Sequence, residues 1–109
     1  MKKLAFQGSS LDDLREFSPA ARNEAGYQLD KVQHGLEPDD FKPMPTIGKG
    51  VWEIRVTDEA GQFRVIYIAK LKDAIYVLHC FQKKTQKTPL KDLDISSKRL
   101  RELLQGLKS

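Results

Sequence analysis

Three side chains that could act together on an anion lie in the most apolar part of the sequence. Arg55, Arg64 and His79 belong to stretches rich in Val, Ile, Phe, Tyr and Trp. These stretches cover residues 51–57, 62–70 and 74–82. Short polar links separate them, which is typical of an antiparallel β-meander. The sequence therefore predicts that the three side chains lie on neighbouring strands.

The lengths of the two links predict which of these residues face each other. If the first link is symmetric about residues 59–60, Arg55 lies opposite Arg64. If the second link is symmetric about residues 71–72, Arg64 lies opposite His79. Because register fixes which face of a sheet a side chain occupies, we expect all three to form one row across one face.

Two arginines placed opposite each other repel, so this arrangement needs a reason beyond stability. A bound phosphate supplies one, because two guanidinium groups can each donate a pair of hydrogen bonds to its oxygens. Two structural alternatives remain open. Glu53, on the same face and diagonal to Arg64, could neutralise that arginine in an ordinary ion pair. His79 could be a hydrogen-bonded core residue.

The third strand continues into the basic, hydroxyl-rich segment QKKTQKTP, residues 82–89. Residues 83–109 contain eight basic and three acidic side chains, a net charge of +5, whereas residues 1–82 carry −1. Lysines attract a nucleic-acid backbone at long range, and amides and hydroxyls fix its register. We therefore expect Gln82, Thr85 and Lys87 to contact a nucleic-acid backbone, although a solvated basic surface would have the same composition.

The remaining sequence predicts the elements that carry these strands. Residues 4–6 form a short edge strand, and a first helix begins with Ser10 as N-cap. A second helix runs from Ser18, followed by proline at the first helical position, to Gly35. Residues 36–50 contain three prolines and two glycines, which indicates an irregular loop.

The last helix begins near Asp92 or Asp94 and presents an apolar stripe of leucines. The predicted order is β-α-α-β-β-β-α, an α+β fold in which an antiparallel meander follows two N-terminal helices and precedes a C-terminal helix. A length of 109 residues is sufficient for one hydrophobic core, so we expect a single domain over residues 1–109.

Several classes of protein are disfavoured by composition. No apolar run reaches the ~20 residues of a membrane span, and the first residues lack the apolar stretch of a signal peptide. Cys80 is the single cysteine, so an internal disulfide cannot form and the reducing cytoplasm is the expected compartment. His34 and His79 alone do not make a metal site, and no cofactor motif is present.

Three motifs together resemble a known family. They are VWEIRV at residues 51–56, FRVIY at 63–67 and HCFQKKTQKTP at 79–89. This combination is similar to the RelE/ParE toxin superfamily, and most similar to its phage-derived, HigB-like branch. The likeness covers nearly the whole chain and implies a RelE-like fold.

The resemblance also implies a function. Such proteins are toxins of type II toxin–antitoxin systems that cleave mRNA on the ribosome, without a metal or other cofactor, and thereby stop translation. The 2′-hydroxyl of the message attacks the adjacent phosphate. The expected partners are the ribosome, mRNA and a cognate antitoxin of the helix-turn-helix type.

Carried over to this sequence, the resemblance assigns catalytic roles to a basic set. Arg64 matches the family arginine that stabilises phosphate charge, Arg55 occupies a commonly basic position, and Lys83 and Lys84 match the basic pair that ends the last strand. His79 is the candidate for proton transfer because its unperturbed pKa lies near neutrality. Glu53 is an alternative base.

Two other functions stay open on the sequence alone. A ParE-like protein would inhibit DNA gyrase without cutting RNA, although the basic segment after the third strand disfavours it. A non-catalytic RNA-binding module would bind RNA with strong salt dependence and show no cleavage.

Overall fold

The protein is described by a computed structural model over residues 1–108. Two helices are followed by four successive strands and a last helix, an α+β arrangement that confirms the predicted fold class. In chain order the elements are β1 (Lys3–Phe6), α1 (Ser10–Arg15), α2 (Pro19–Gln33), β2 (Phe41–Pro43), β3 (Val51–Asp58), β4 (Gly61–Ile68), β5 (Ala74–Lys83) and α3 (Leu90–Lys108).

The strands form one mixed sheet in the order β1-β5-β4-β3-β2. The predicted meander is confirmed, since β3, β4 and β5 pair antiparallel in sequence order. The predicted edge strand β1 does lie at an edge, but it pairs parallel with β5. The sheet is therefore not purely antiparallel.

The opposite edge strand, β2, was not expected, because residues 36–50 were predicted to be an irregular loop. Phe41–Pro43 pair antiparallel with β3, with Pro43 opposite Trp52. Proline is compatible with an edge strand because its missing N–H can face away from the sheet. Three residues are too few to show the alternation by which a strand is recognised in sequence.

The sheet is covered on both faces. On one face α1 and α2 pack through residues at helical spacing, among them Leu14, Ala25 and Leu29, against Ile54 and Val65. On the other face α3 contributes a second cluster. Its buried members include Leu100 and Leu103 from α3 and Ile66, Ile68 and Leu78 from the sheet. Because β3–β5 are buried on both faces, their sequences are nearly continuous in apolar residues.

The helix ends follow local sequence signals. The Ser18 hydroxyl accepts a hydrogen bond from the Ala21 amide at 3.2 Å, and Gly35 takes a φ of +79° after α2, as predicted. At α1 the N-cap is Ser9 rather than Ser10. Ser10 is buried and donates to the Val77 carbonyl at 3.2 Å. No helix in residues 1–108 is both long and apolar enough to cross a lipid bilayer.

The two-sided core predicts a large difference between buried and exposed positions. Ile54 is 0% exposed beneath α2, so Ile54→Ala should lower the free energy of unfolding by about 2–5 kcal/mol. Leu107 is 48% exposed, and Leu107→Ala should change the same quantity by less than about 0.5 kcal/mol. Urea denaturation followed by circular dichroism measures both, and equal losses would contradict the packing described here.

Candidate functional site

The predicted pairing of the two arginines is confirmed. Arg55 lies directly opposite Arg64, because the turn at residues 59–60 joins β3 and β4 without a bulge. The Arg55 side chain is 37% exposed; its Nε donates to Asp40 Oδ1 at 2.9 Å, and its Nη2 forms an ion pair with the same oxygen at 2.8 Å. Arg55 is thus accessible but held by a carboxylate of the segment before β2.

Arg64 is much less accessible, with only 5% of the residue exposed. Its Nη1 donates to the Phe63 carbonyl at 3.0 Å and its Nη2 to Gln62 Oε1 at 2.9 Å. Burial lowers the pKa of Arg64 from its ordinary value, and the nearby charge of Glu53 opposes that shift. These two bonds restrain the terminal nitrogens, and each of them retains a second hydrogen for a ligand.

Glu53 lies at the centre of this group and is fully buried. Its Oε1 is 3.5 Å from Arg64 Nε and 3.9 Å from Lys42 Nζ. Its Oε2 accepts from the Thr88 hydroxyl at 3.5 Å. The ion pair with Arg64, which the sequence left as an alternative, is present. A buried carboxylate requires such compensation, because its desolvation is costly.

Lys42 is a residue of this site that the sequence did not indicate. It lies on β2, directly opposite Glu53. Its position depends on a strand pairing that was not predicted, so no sequence signal connected it with the arginines. Only recognition of residues 41–43 as an edge strand would have placed Lys42 beside Glu53.

The predicted pairing of Arg64 with His79 is wrong. Arg64 lies opposite Phe81, and His79 lies opposite Ile66. The pair next to the β4–β5 link joins Ile68 to Tyr76, one residue beyond the predicted register, and the register shifts by one more between Ile66 and Tyr67. A β-bulge of this kind adds one unpaired residue to a strand, which displaces every pair beyond it.

His79 is therefore two pairs further along the sheet than Arg64, and it lies under α3. It is 5% exposed, with Nε2 2.7 Å from Asp92 Oδ1 and Nδ1 3.4 Å from Arg99 Nη1. Because Arg99 can only donate, its contact requires Nδ1 to accept and assigns the proton to Nε2. The ring also stacks on Phe81 at a centroid distance of 5.1 Å. A role of His79 in proton transfer requires one of these contacts to open.

The bulge also changes the faces that β5 residues occupy. Strict alternation along β5 would place Ile75 and Val77 on the face of His79, but they join the cluster beneath α1 and α2. Cys80 belongs to that same cluster. Burial raises the pKa of the Cys80 thiol strongly, as expected for a residue that acts in packing.

The segment that follows β5 forms an open concavity beside the arginines. Its volume is about 520 Å³, and its lining includes Gln62, Lys83, Lys84 and Thr85. Lys84, Thr85 and Lys87 are exposed, and the Thr85 hydroxyl donates to the Lys87 carbonyl at 2.7 Å. The segment thus carries accessible lysines on a locally ordered turn.

One further contact attaches this segment to the sheet. Gln82 donates from Nε2 to the Ala60 carbonyl at 2.9 Å, so the end of β5 is bonded to the β3–β4 turn. A Cβ at Gly61 would lie 2.8 Å from that amide, and its φ of +137° also favours glycine. Burial, and then the charge of Arg64, lowers the pKa of Lys83 from its ordinary value of 10.5.

The arrangement suits an anion rather than a metal ion. Four cations, Lys42, Arg55, Arg64 and Lys83, surround two carboxylates, Glu53 and Asp40, for a net charge of +2. Within residues 1–108, no three His, Cys, Asp or Glu side chains are grouped as metal ligands.

Comparison with known proteins identifies the family of this chain. Residues 12–101 match the family described as phage derived protein Gp49-like. The chain belongs to this Gp49-like family. The matched residues include all of β2–β5 and the basic segment at 82–89, so the candidate site lies inside the family domain.

The fold of this Gp49-like chain is similar to that of a solved toxin. A double arginine-to-alanine mutant of the E. coli toxin RelE in the free state aligns with a TM-score of 0.60. The alignment covers 94% of this chain and 97% of RelE at 15% sequence identity, so it establishes a RelE-like fold. No curated protein matches the sequence.

The environment of His79 predicts unequal roles for two neighbouring carboxylates of α3. Asp92 is 8% exposed and bonded to His79, so Asp92→Ala should cost about 1–3 kcal/mol of unfolding free energy by leaving a buried ring nitrogen unpaired. Asp94 is exposed, and Asp94→Ala should change stability by less than about 0.5 kcal/mol. Urea denaturation of both variants measures the difference, and an Asp92→Ala protein as stable as Asp94→Ala would argue against the buried pair.

Proposed function

We propose that this protein is the toxin of a type II toxin–antitoxin system and that residues 1–109 form one toxin domain of the HigB-like branch. We propose further that it is a metal-independent endoribonuclease, an mRNA interferase that acts on the ribosome. The observation that carries the proposal is the pairing of Arg55 with Arg64 on one sheet face, beside Lys42 and Lys83.

The charge of this cluster is suited to one phosphodiester. Its net charge of +2 leaves an excess of cations after Glu53 and Asp40 are matched. Phosphate binds arginine through bidentate hydrogen bonds, which also orient it. A fold selected for stability alone would not place two arginines opposite each other.

The proposed reaction requires little covalent chemistry from the protein. The 2′-hydroxyl of the message attacks its own 3′-phosphate, the bond to the 5′-oxygen of the next nucleotide breaks, and a cyclic phosphate remains. The attacking hydroxyl loses a proton and the leaving oxygen gains one. Positioning in line and stabilising the charge on the phosphate are therefore the main tasks.

We assign these tasks to the basic set predicted from the sequence. Arg64 and Arg55 stabilise charge on the phosphate oxygens. Lys83 and Lys84 lie in the open concavity at the end of β5 and complete the catalytic group. RNA-backbone contacts are assigned to three residues of the adjoining segment, Gln82, Thr85 and Lys87.

Lys83 is better placed than His79 for proton transfer. Its pKa is lowered, so it releases a proton more readily than an ordinary lysine, and it lines the open concavity. His79 is buried and both of its ring nitrogens are engaged. In this proposal His79 connects β5 to α3 and reaches the substrate only if α3 shifts.

The proposed partners follow from the same likeness. The protein similar in fold is named as a toxin, RelE, and the matched family is phage-derived. We propose a cognate antitoxin of the helix-turn-helix type, with the ribosome and mRNA as the targets. The ribosome would supply part of the geometry that orients the message.

The main test is induced expression with mapping of message ends by primer extension. The wild-type protein should arrest translation and cut messages within reading frames. Arg64→Lys keeps a charge for Glu53 but loses the guanidinium fork, so cleavage should fall by about 10²-fold or more while the fold is retained. Arg55→Ala should also reduce cleavage.

Arg22→Ala is the matched control for these variants. Arg22 is an exposed arginine on α2, away from the cluster, and its replacement should leave cleavage unchanged. Intact messages during wild-type expression would refute the nuclease proposal. A DNA-damage response in its place would indicate a ParE-like gyrase inhibitor, and salt-dependent RNA binding without cleavage would indicate a non-catalytic module.

The lowered pKa of Lys83 predicts how RNA binding depends on pH. The charged form of Lys83 attracts the phosphate. Because its pKa is lowered, the folded protein loses this charge, as pH rises, before the ordinary lysine pKa of 10.5 is reached. RNA affinity should therefore weaken as pH rises toward the Lys83 pKa. Lys83→Arg should remove this early decline in a fluorescence-anisotropy titration, whereas Lys98→Arg, at an exposed position on α3, should not.

A further inference from the structure

The carboxylate of Glu53 contacts three separate parts of the candidate site. It approaches Lys42 on β2 at 3.9 Å and Arg64 on β4 at 3.5 Å. It accepts a hydrogen bond from Thr88, in the segment between β5 and α3, at 3.5 Å. One buried side chain thus connects an edge strand, a central strand and the basic segment.

These contacts are not optimised for stability. Among the described residues, Glu53 Oε1 and Arg64 Nε are the two buried side-chain atoms without a hydrogen-bond partner. They face each other at 3.5 Å, close enough for strong attraction but outside good hydrogen-bond geometry. Apolar residues often replace buried ion pairs without loss of stability, so the presence of this pair points to a requirement for its charge.

We propose that Glu53 is a positioning residue for RNA cleavage. Its charge orients the Arg64 guanidinium, retains Lys42 at the site and ties Thr88 to the sheet, so that the cations face the phosphate in one arrangement. This inference rests on the proposed nuclease function and adds to it a residue that does not touch the RNA.

The burial of Glu53 argues against its use as the general base. A base must reach the 2′-hydroxyl directly or through one water, and Glu53 is 0% exposed. Its two oxygens are already directed at Lys42, Arg64 and Thr88. The alternative raised by the sequence, that Glu53 abstracts the proton, is therefore disfavoured by geometry.

If Glu53 positions the cations, removing its charge should preserve RNA binding but reduce RNA cleavage. Glu53→Gln preserves size and can still bond Thr88, but it raises the net charge of the cluster from +2 to +3. RNA affinity should stay equal or increase, with a salt dependence steeper by about 0.7 in logarithmic slope. Cleavage should fall by about 10²-fold, because the Arg64 guanidinium loses its fixed orientation.

The experiment compares Glu53→Gln with Glu59→Gln, which removes one negative charge from an exposed position in the β3–β4 turn. Binding is measured on a single-stranded RNA with a 2′-deoxy substitution at the scissile position, across a salt series. Cleavage is measured on programmed ribosomes under single-turnover conditions. Glu59→Gln should leave the cleavage rate unchanged, and Glu53→Asp should restore part of the rate lost in Glu53→Gln.

A spectroscopic readout tests the inference independently of nuclease activity. In ¹⁵N-resolved spectra the Arg64 Nε–H should be protected from solvent exchange in the wild type and lose that protection in Glu53→Gln. If the wild type cuts no message, the proposed function fails and this comparison still decides whether Glu53 orients Arg64. Unchanged protection, or full cleavage by a folded Glu53→Gln protein, would overturn the inference.

Thr88→Val gives a second variant if Glu53→Gln does not fold. It removes only the hydrogen bond between the basic segment and Glu53, so the core ion pair remains. We expect a raised KM with a smaller change in kcat, because the segment that contacts RNA is less well held. An unchanged KM would show that Glu53 does not position this segment.

Discussion

The interaction on which the candidate site depends is the ion pair between Glu53 and Arg64 inside the sheet. A carboxylate with no exposed surface is stable only beside positive charge, and Arg64, itself 5% exposed, is similarly dependent on Glu53. Together with Lys42 they convert a mostly apolar sheet face into a cationic one. The excess of positive charge, rather than any single nucleophile, is what this surface offers to a substrate.

The rest of the fold holds that pair in place. Helices α1 and α2 pack on one face of the sheet, and α3 packs on the other. The charged group is therefore confined to the ends of β3–β5 and the segment after β5. His79 and Asp92 join β5 to the first turn of α3, and Thr88 joins the intervening segment to Glu53. The lysines at 83, 84 and 87 are thereby carried on a segment that is fixed at both ends.

Particular residues show how far sequence reasoning extends. The pairing of Arg55 with Arg64 was predictable, because a two-residue turn leaves little freedom in register. The pairing of Arg64 with His79 was not, since the register is offset by one residue next to the β4–β5 link and by one more at the bulge. Lys42 was missed for a related reason, because its short strand exists only through pairing with β3. Local signals located the helix that starts after Ser18, but they do not report partners distant in the chain.

By itself the sequence determined the α+β class, the central meander, the opposed arginines and the basic segment that follows β5. These properties depend on local propensity, apolar periodicity and short links, all of which are encoded within a few residues. Only the tertiary structure decided that Arg64 is buried against Glu53, that Lys42 joins them, and that His79 is bonded to Asp92 under α3. Those outcomes arise where distant segments exclude water together, and burial and pairing of charge have no local signature in a sequence.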